Sequence, residues 1–399
     1  MTRPGADDVA DGAGGPGLVL ALNAGSSSLK FALFDHRLAV LARGQVAGLG
    51  TGDVRLADDA GAVALPAGAT GHAEVLGPLL ARIAERVGGR PVVAVGHRVV
   101  HGGTRLADPL RLDEAAIAEL ATLVPLAPLH QPHNIAAIRA AAETLPEAVH
   151  YACFDTGFHA SIPALRRRFA LPAALHEAGV RRYGFHGLSY AHVADRLATI
   201  DPALAAGRVV VAHLGAGASL CAMQAGRSVE TSMGMTALDG LVMGTRCGAL
   251  DPGAVLHLLT HLGMDVAAVE ALLSHESGLL GVSGRSSDMR VLLAADDAAA
   301  REAVALFCWR AAREAGAMMV ALGGLDGLVF TGGIGEHAAP VRAAIADALG
   351  FAGVVIDPQA NARHAELLSP PGAAVTVRIV PADEERVIAR AGWAMVGRA

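Results

Sequence analysis

Residues Leu18–Asp35 read LVLALNAGSSSLKFALFD. An apolar run, Leu18 to Leu22, enters the polar turn Asn23-Ala24-Gly25-Ser26-Ser27-Ser28, and a second apolar run, Leu29 to Phe34, leaves it. Short apolar runs on either side of a Gly/Asn/Ser turn predict two antiparallel strands joined by a hairpin. The turn gathers backbone N–H groups and hydroxyls, with the cation of Lys30 just beyond, and such a concavity suits phosphate oxygens. Lys30 is the only lysine in the chain, every other strongly basic side chain being arginine. A compact ammonium can follow a moving phosphate, whereas arginine offers a planar fork. The plainer reading is an ordinary hairpin with one leftover surface lysine.

The chain around this stretch has 399 residues, enough for two or three domains of about 150 residues each. A hydrophobic content of 53% and 48 glycines describe an Ala/Gly-rich globular protein. The net charge of −6 and scattered arginines argue against nucleic acid as the main partner. No apolar stretch reaches the roughly 18 to 20 residues of a membrane span, so no membrane partner is expected. Residues 1–16 are rich in Gly, Asp and Pro and read as a disordered tail. Cys153, Cys221, Cys247 and Cys308 show no C-x-x-C pair and no zinc spacing, which suits buried thiols in a reducing, cytoplasmic compartment.

Further along, Val92 to Val100 (VVAVGHRVV) reads as a buried strand and Asp113 to Val124 as a helix, with a break forced by Pro125 and Pro128 before His130. Ile135 to Leu145 is helical, and Val149 to Asp155 is a strand that delivers Asp155. The opening pattern returns at Arg208 as RVVVAHLGAGASLCAMQAG. An offset of 190 lays Gly25 on Gly215, Asn23 on His213 and Lys30 on Leu220, suggesting two copies of one domain type. Gly284 to Arg290 is a polar turn, and a long helix spans Ala298 to Leu322. The strand Gly327 to Phe330 then runs into a glycine turn, Thr331-Gly332-Gly333-Ile334-Gly335-Glu336, with a helix beginning near Ala338. A strand, a glycine turn and a helix N-terminus make a nucleotide-contact geometry, but neither G-x-G-x-x-G nor a P-loop is present. A last strand, Val375 to Val380, leads to Asp383-Glu384-Glu385 and a closing helix. Two lobes with glycine turns resemble the actin, Hsp70 and sugar-kinase superfamily.

The motifs NAGSSSLKF, GHRVVHGG, PLAPLHQPHN, FDTGFH, RRYGFHG, HLGAGASL, TSMGMTALDGLVMGTR, SSDMR, TGGIGE and DEE follow in this order from Leu18 onward. Together they closely resemble the acetate kinase family of short-chain carboxylate kinases. The resemblance implies an α/β fold of two RNase H-like domains with an interdomain active-site cleft. Residues 17–157 with 386–399 would form the first domain, and 158–385 the second, which binds nucleotide and dimerises. It also implies reversible phosphoryl transfer between ATP and acetate, giving acetyl phosphate and ADP. Mg²⁺, replaceable by Mn²⁺, would be the cofactor and a homodimer the assembly.

Carried over residue by residue, Asn23 and Glu384 resemble the metal-site residues and Lys30 the nucleotide-phosphate residue. Arg98 resembles the carboxylate-binding arginine, with Val100, Leu129 and Phe185 around the acyl group. Asp155 resembles the catalytic acid, and His186 and Arg246 the groups that stabilise the transition state. The nucleotide would meet His213, Leu214, Gly215, Ala216 and Gly217, then Asp288, Met289 and Arg290, then Gly332, Gly333, Ile334, Gly335 and Glu336. A carboxylic acid of pKa about 4 to 5 is already ionised at pH 7, so the nucleophile needs no general base. Asp155 is therefore expected to orient Arg98 or a magnesium-bound water. His130 reads equally as packing or as substrate contact.

Several positions depart from the family's pattern. Ala216 stands where Asn is usual, Ala249 where Asp is usual, and His337 where Asn is usual, while Ala237 and Val242 replace prolines. Each lost polar partner is expected to weaken nucleotide binding by about 0.5 to 1.5 kcal/mol. The smaller Ala237 is expected to widen the acyl pocket toward propionate. The rival readings are a propionate or butyrate kinase with the same chemistry and an actin- or Hsp70-like assembly ATPase.

Overall fold

The computed structural model describes residues 17–25, 28–50, 53–65, 70–128 and 130–397. The expected tail at 1–16, the turn serines Ser26 and Ser27, and the pocket candidate Leu129 lie outside the described residues. The chain divides into two compact units. The first takes residues through Val100, Asp108–Cys153 and those from Glu385, and the second takes His101–Ala107 and Phe154–Glu384.

The first unit holds strands β1 (Leu18–Ala24), β2 (Ser28–Phe34), β3 (Val40–Ala47), β4 (Arg55–Asp58), β5 (Gly61–Val63), β6 (Val92–Val99), β7 (Leu110–Arg111) and β8 (Val149–Phe154). They lie in the order β5-β4-β3-β2-β1-β6-β8-β7. The hairpin read from LVLALNAGSSSLKFALFD is present, β1 and β2 being antiparallel with Asn23 opposite Lys30. β6 runs parallel to β1 and sets Leu22 beside His97. Leu18, Leu20 and Leu22 of β1 face a core shared with Leu29, Phe31 and Leu33 of β2 and Val75 and Leu79 of the helix His72–Val87. Val19 and Ala21, on the other face, are equally buried. A strand covered on both faces reads as a continuous apolar run instead of an alternating one, which is why LVLAL carries no polar residue. The helix Glu384–Val396 closes this unit: Tyr151 Oη donates to the Ile388 carbonyl (2.7 Å) and Trp393 Nε1 to that of Asp35 (2.9 Å).

The second unit holds β9 (Arg208–Leu214), β10 (Ala218–Gln224), β11 (Arg227–Thr231), β12 (Gly327–Thr331) and β13 (Thr376–Ile379), in the order β11-β10-β9-β12-β13. An antiparallel trio followed by parallel β12 and β13 repeats the order β3-β2-β1-β6-β8 of the first unit. The repeat inferred from sequence is therefore a repeat of topology. Its offset of 190 holds only as far as the turn. Leu214 pairs with Ala218, whereas Ala24 pairs with Leu29, so the second turn is one residue shorter. The residue opposite His213 is Ser219 and not Leu220. A hydroxyl thus occupies the position that Lys30 holds in the first hairpin.

Two other local expectations differ from the structure. The stretch after β12 is not a turn before a helix, because the helix Gly332–His337 starts at once and a second, Ala339–Ala348, follows. The polar turn ending at Arg290 becomes helical at Met289, with Asp288 capping the helix Met289–Ala294 through the Arg290 N–H.

Candidate active site

In the first unit the ends of β1, β2 and β6 present Asn23, Lys30 and Arg98. Asn23 is nearly buried and Lys30 is exposed. Arg98 Nη1 donates to Asn23 Oδ1 (2.9 Å), so the expected carboxylate-binding and metal-site residues are in direct contact. Val100 is buried just past β6. Sequence reading missed the residue that fixes this corner. Asn134, buried in the helix Gln131–Thr144, accepts from the Val100 N–H (3.1 Å) and donates to the Ala24 carbonyl (2.8 Å), joining the end of β6 to the end of β1. An Asn134→Ala substitution removes both partners from buried backbone groups, each worth about 1 to 3 kcal/mol. Urea titration is expected to show a loss of about 2 to 4 kcal/mol, and a loss below 0.5 kcal/mol would contradict this role.

In the second unit the expected residues gather at the β9–β10 turn. His186 sits at a left-handed φ of 58°, just before the helix Gly187–Ile200. Such a conformation is uncommon outside glycine and aims the imidazole in a fixed direction. Its Nδ1 shares a hydrogen bond of 2.9 Å with Ser219 Oγ, which is also bonded to Tyr190 Oη. The His186 ring stacks on His213 at 4.3 Å, and His213 Nδ1 is paired with Ser189 Oγ (2.8 Å). Arg246 Nη1 donates to the Ala237 carbonyl (2.8 Å). A methyl group added at Gly217 would lie 2.8 Å from Arg246 Nη2 and 3.1 Å from His186 Nε2. The missing side chain there opens the space on which the guanidinium and the imidazole converge. Asp155 is buried, and its carbonyl accepts from the Gly187 N–H (2.9 Å), tying the end of β8 to the residue after His186. Phe185 is buried against His101.

The loop carrying Arg246 is held from two sides. Gly244 N–H donates to the Ala216 carbonyl (3.0 Å), and the Thr245 carbonyl accepts from Ser277 (3.0 Å). The departure at Ala216 thus leaves that backbone tie intact. Leu214 is buried beneath the turn, and Gly215 N–H closes it onto the Gly217 carbonyl (3.0 Å). Gly332, at φ 77°, packs so close that a Cβ would come within 2.8 Å of the Leu214 carbonyl, which sets Gly332, Gly333 and Ile334 beside the same turn. The end of that helix is held by a residue that sequence reading also missed. Arg342 is fully buried and donates to the carbonyls of Gly335 and Glu336 (both 2.9 Å) and to Asn361, while burial draws its pKa down to about 10. Glu336 Oε1 in turn accepts from Ala382 N–H (2.9 Å), two residues before Glu384. Asp288 and Arg290 form a local ion pair of 2.6 Å that holds the Asp288 carboxyl below its usual range, and Met289 is buried. His337 is exposed at the helix end, 3.9 Å from Glu336.

The metal candidates Asn23 and Glu384 offer an amide and a carboxylate oxygen. No group of three or more His, Cys, Asp or Glu that could cage a metal occurs among the described residues. An amide and a carboxylate oxygen are hard donors of the kind Mg²⁺ takes, alongside water and substrate phosphates.

One strand order thus runs twice through the chain, and in the second unit an arginine and a histidine turn toward the same glycine turn. The sequence profile of the Acetokinase family matches residues 18–390. The chain is 49% identical over 389 residues to an acetate kinase of Rhodopseudomonas palustris (strain TIE-1), covering 94% of this chain and 98% of that one. Its fold is similar to the crystal structure of a propionate kinase from Francisella tularensis subsp. tularensis SCHU S4, with a TM-score of 0.89 and 35% identity over 94% of this chain and 98% of that one. It is also similar to the Porphyromonas gingivalis acetate kinase, with a TM-score of 0.87 and 35% identity over 95% and 100% of the two chains. The chain belongs to the acetokinase family.

Proposed function

We propose that the protein catalyses the reversible transfer of the γ-phosphoryl group of ATP to the carboxylate of acetate, giving acetyl phosphate and ADP. The observation that carries this reading is the convergence of Arg246 Nη2 and His186 Nε2 on the space above Gly217. Phosphoryl transfer passes through a loose transition state with charge spread over three equatorial oxygens, and donors fixed in advance stabilise that charge. Arg246 and His186 hold those oxygens. A carboxylate oxygen forms a bond to phosphorus as the bridging bond to ADP breaks, and the electron pair leaves with ADP. No proton has to move. Arg98, steadied by Asn23, presents its fork to the acid, and Lys30 serves the nucleotide phosphates. Asp155 orients Arg98 or a metal-bound water. Mg²⁺, or Mn²⁺ in its place, would be held by Asn23 and Glu384 and would neutralise phosphate charge. Ser219 and Ser189 fix the two stacked imidazoles, as positioning residues.

Propionate is an accepted substrate in this reading. Ala237 stands where a proline would narrow the pocket, and one methylene is worth only about 1 to 3 kcal/mol of discrimination. A hydroxamate assay across C2 to C4 acids, with ATP and Mg²⁺, checks both levels. Comparable kcat/KM for acetate and propionate is expected. A strong preference for acetate would remove the widened pocket, and no acyl hydroxamate from any acid would remove the kinase reading.

The assembly we propose is a homodimer formed through the second unit. Leu165 and Val320 are 83% and 84% exposed there, and the Arg166 guanidinium donates to the Ala321 carbonyl. Light scattering that gave a monomer at micromolar concentration would overturn this assembly. A reducing, cytoplasmic setting suits the four unpaired cysteines. Among the described residues no helix is long and apolar enough to cross a membrane.

A further inference from the structure

A cavity of about 40 Å³ in the second unit is lined by Arg105, Arg167, Arg181 and Arg182, together with His159 and Tyr183, and by no aspartate or glutamate. Its room corresponds to roughly three waters. Arg182 is balanced: it donates to the carbonyls of Thr231 (2.9 Å) and Met233 (2.8 Å) and lies 3.5 Å from Glu230 and 3.9 Å from Asp239. Arg167 is tied to the carbonyls of Ile162 and Ala160, which are neutral acceptors. Arg181 lies over the Tyr183 ring at 5.9 Å, and its Nε is buried with no hydrogen-bond partner among the described residues. Burial and the charge of Arg181 depress the pKa of Arg167, and burial holds His159 down to about 4, with Arg167 and Arg182 adding to the effect. Arg167 and Arg181 are like charges close enough to interact, with no acid on the cavity wall, and an anion between them would relieve that repulsion. The proposed phosphoryl transfer uses none of these side chains.

We propose that this cavity is a binding site for a small multivalent oxyanion, phosphate or a short dicarboxylate, distinct from the phosphoryl-transfer site. Guanidinium groups recognise both chemistries through the same N–H···O pairs. The cavity joins two segments of the second unit, residues 103–107 and residues 181–183. The second of these continues through Gly184 and Phe185 to His186. His159, on the cavity wall, is bonded to the Phe185 carbonyl (2.9 Å). An anion clamped here fixes the approach to His186, so its occupancy is coupled to the rate of phosphoryl transfer.

The test reads binding and does not depend on turnover, so it stands apart from the kinase assignment. Isothermal titration of the full chain with inorganic phosphate, and separately with succinate, is compared with Arg246→Ala, Arg181→Gln and Arg105→Gln. The wild type and Arg246→Ala are expected to bind one anion per chain with similar affinity. Arg181→Gln and Arg105→Gln are expected to bind about tenfold more weakly or worse. An anion whose binding weakens in Arg181→Gln and Arg105→Gln but persists in Arg246→Ala assigns the site to its class, phosphate or dicarboxylate. An anion that binds the wild type and both cavity variants equally, as one seated on Arg98 would, overturns the proposal. Arg181→Lys keeps the charge without the fork and guards against a folding defect, and intermediate affinity is expected of it. The proposal falls if neither anion binds the wild type at millimolar concentration. It also falls if binding disappears in Arg246→Ala while Arg181→Lys binds as the wild type does.

Discussion

Arg246→Ala is expected to lower kcat by about 10³ to 10⁵, the range over which a positioned arginine accelerates phosphoryl transfer. The size follows from the geometry above Gly217, where Arg246 Nη1 donates to the Ala237 carbonyl and Nη2 lies 2.8 Å from where a Cβ at Gly217 would stand, the space to which the proposal assigns the transferring group. A side chain held in this way needs no reorganisation as charge develops. Arg246→Lys is expected to recover only a small part of the loss, because an ammonium cannot hold a backbone carbonyl and an equatorial oxygen with one planar fork. Initial rates by the hydroxamate assay, with thermal melts to confirm folding, decide the matter. A loss below tenfold in a folded Arg246→Ala protein would contradict the assigned role.

The second large effect is on stability in acid. His97, His101 and His159 are almost wholly buried, and burial depresses their pKa values to about 3, about 4 and about 4, with the neighbouring His150 adding to the shift of His97. An unfolded histidine titrates near 6.5, so between that pH and the folded values the unfolded chain binds more protons. Stability is therefore full above pH 6.5 and falls as the pH drops below it. Each histidine contributes up to about 1.4 kcal/mol per pH unit, and the three together up to about 4. Asp58, bonded to Arg82 and Arg86 and drawn down to about 2, acts in a separate window, its contribution being lost only as the pH falls from about 4 toward 2. Urea midpoints measured from pH 7.5 to 4.5 are expected to fall steeply below 6.5, and a flat profile would contradict the burial of these rings.

Much of this was legible in the chain because strands and turns are local. The hairpin at Leu18–Phe34 and the long helix Ala298–Leu322 stand where apolar pattern and turn residues put them. The site residues whose neighbours are distant in sequence were not legible. Asn134 and Ser219 act on a backbone group or a histidine far along the chain, and Arg342 folds back onto carbonyls six and seven residues earlier across a break between two helices; no periodicity marks such partners. The one-residue difference between the two hairpin turns was hidden for a related reason. Apolar strands slide past each other in an alignment without penalty, and only hydrogen-bond register shows that Ser219 faces His213. The helix at Gly332 was read as a turn because its glycines are poor helix formers, yet β12 and the close approach to Leu214 place them there regardless.

The helix Glu384–Val396, which packs on Tyr151 and Asp35, bears on how the protein is made. On the ribosome, β1 to β8 emerge early but lack this covering until the whole of Phe154–Glu384 has been translated. At about 5 to 20 residues per second that interval is on the order of 10 to 50 s, during which one face of the first sheet waits for its last piece. Chaperone capture during synthesis should therefore fall on the earlier half of the polypeptide, although that half leaves the exit tunnel first.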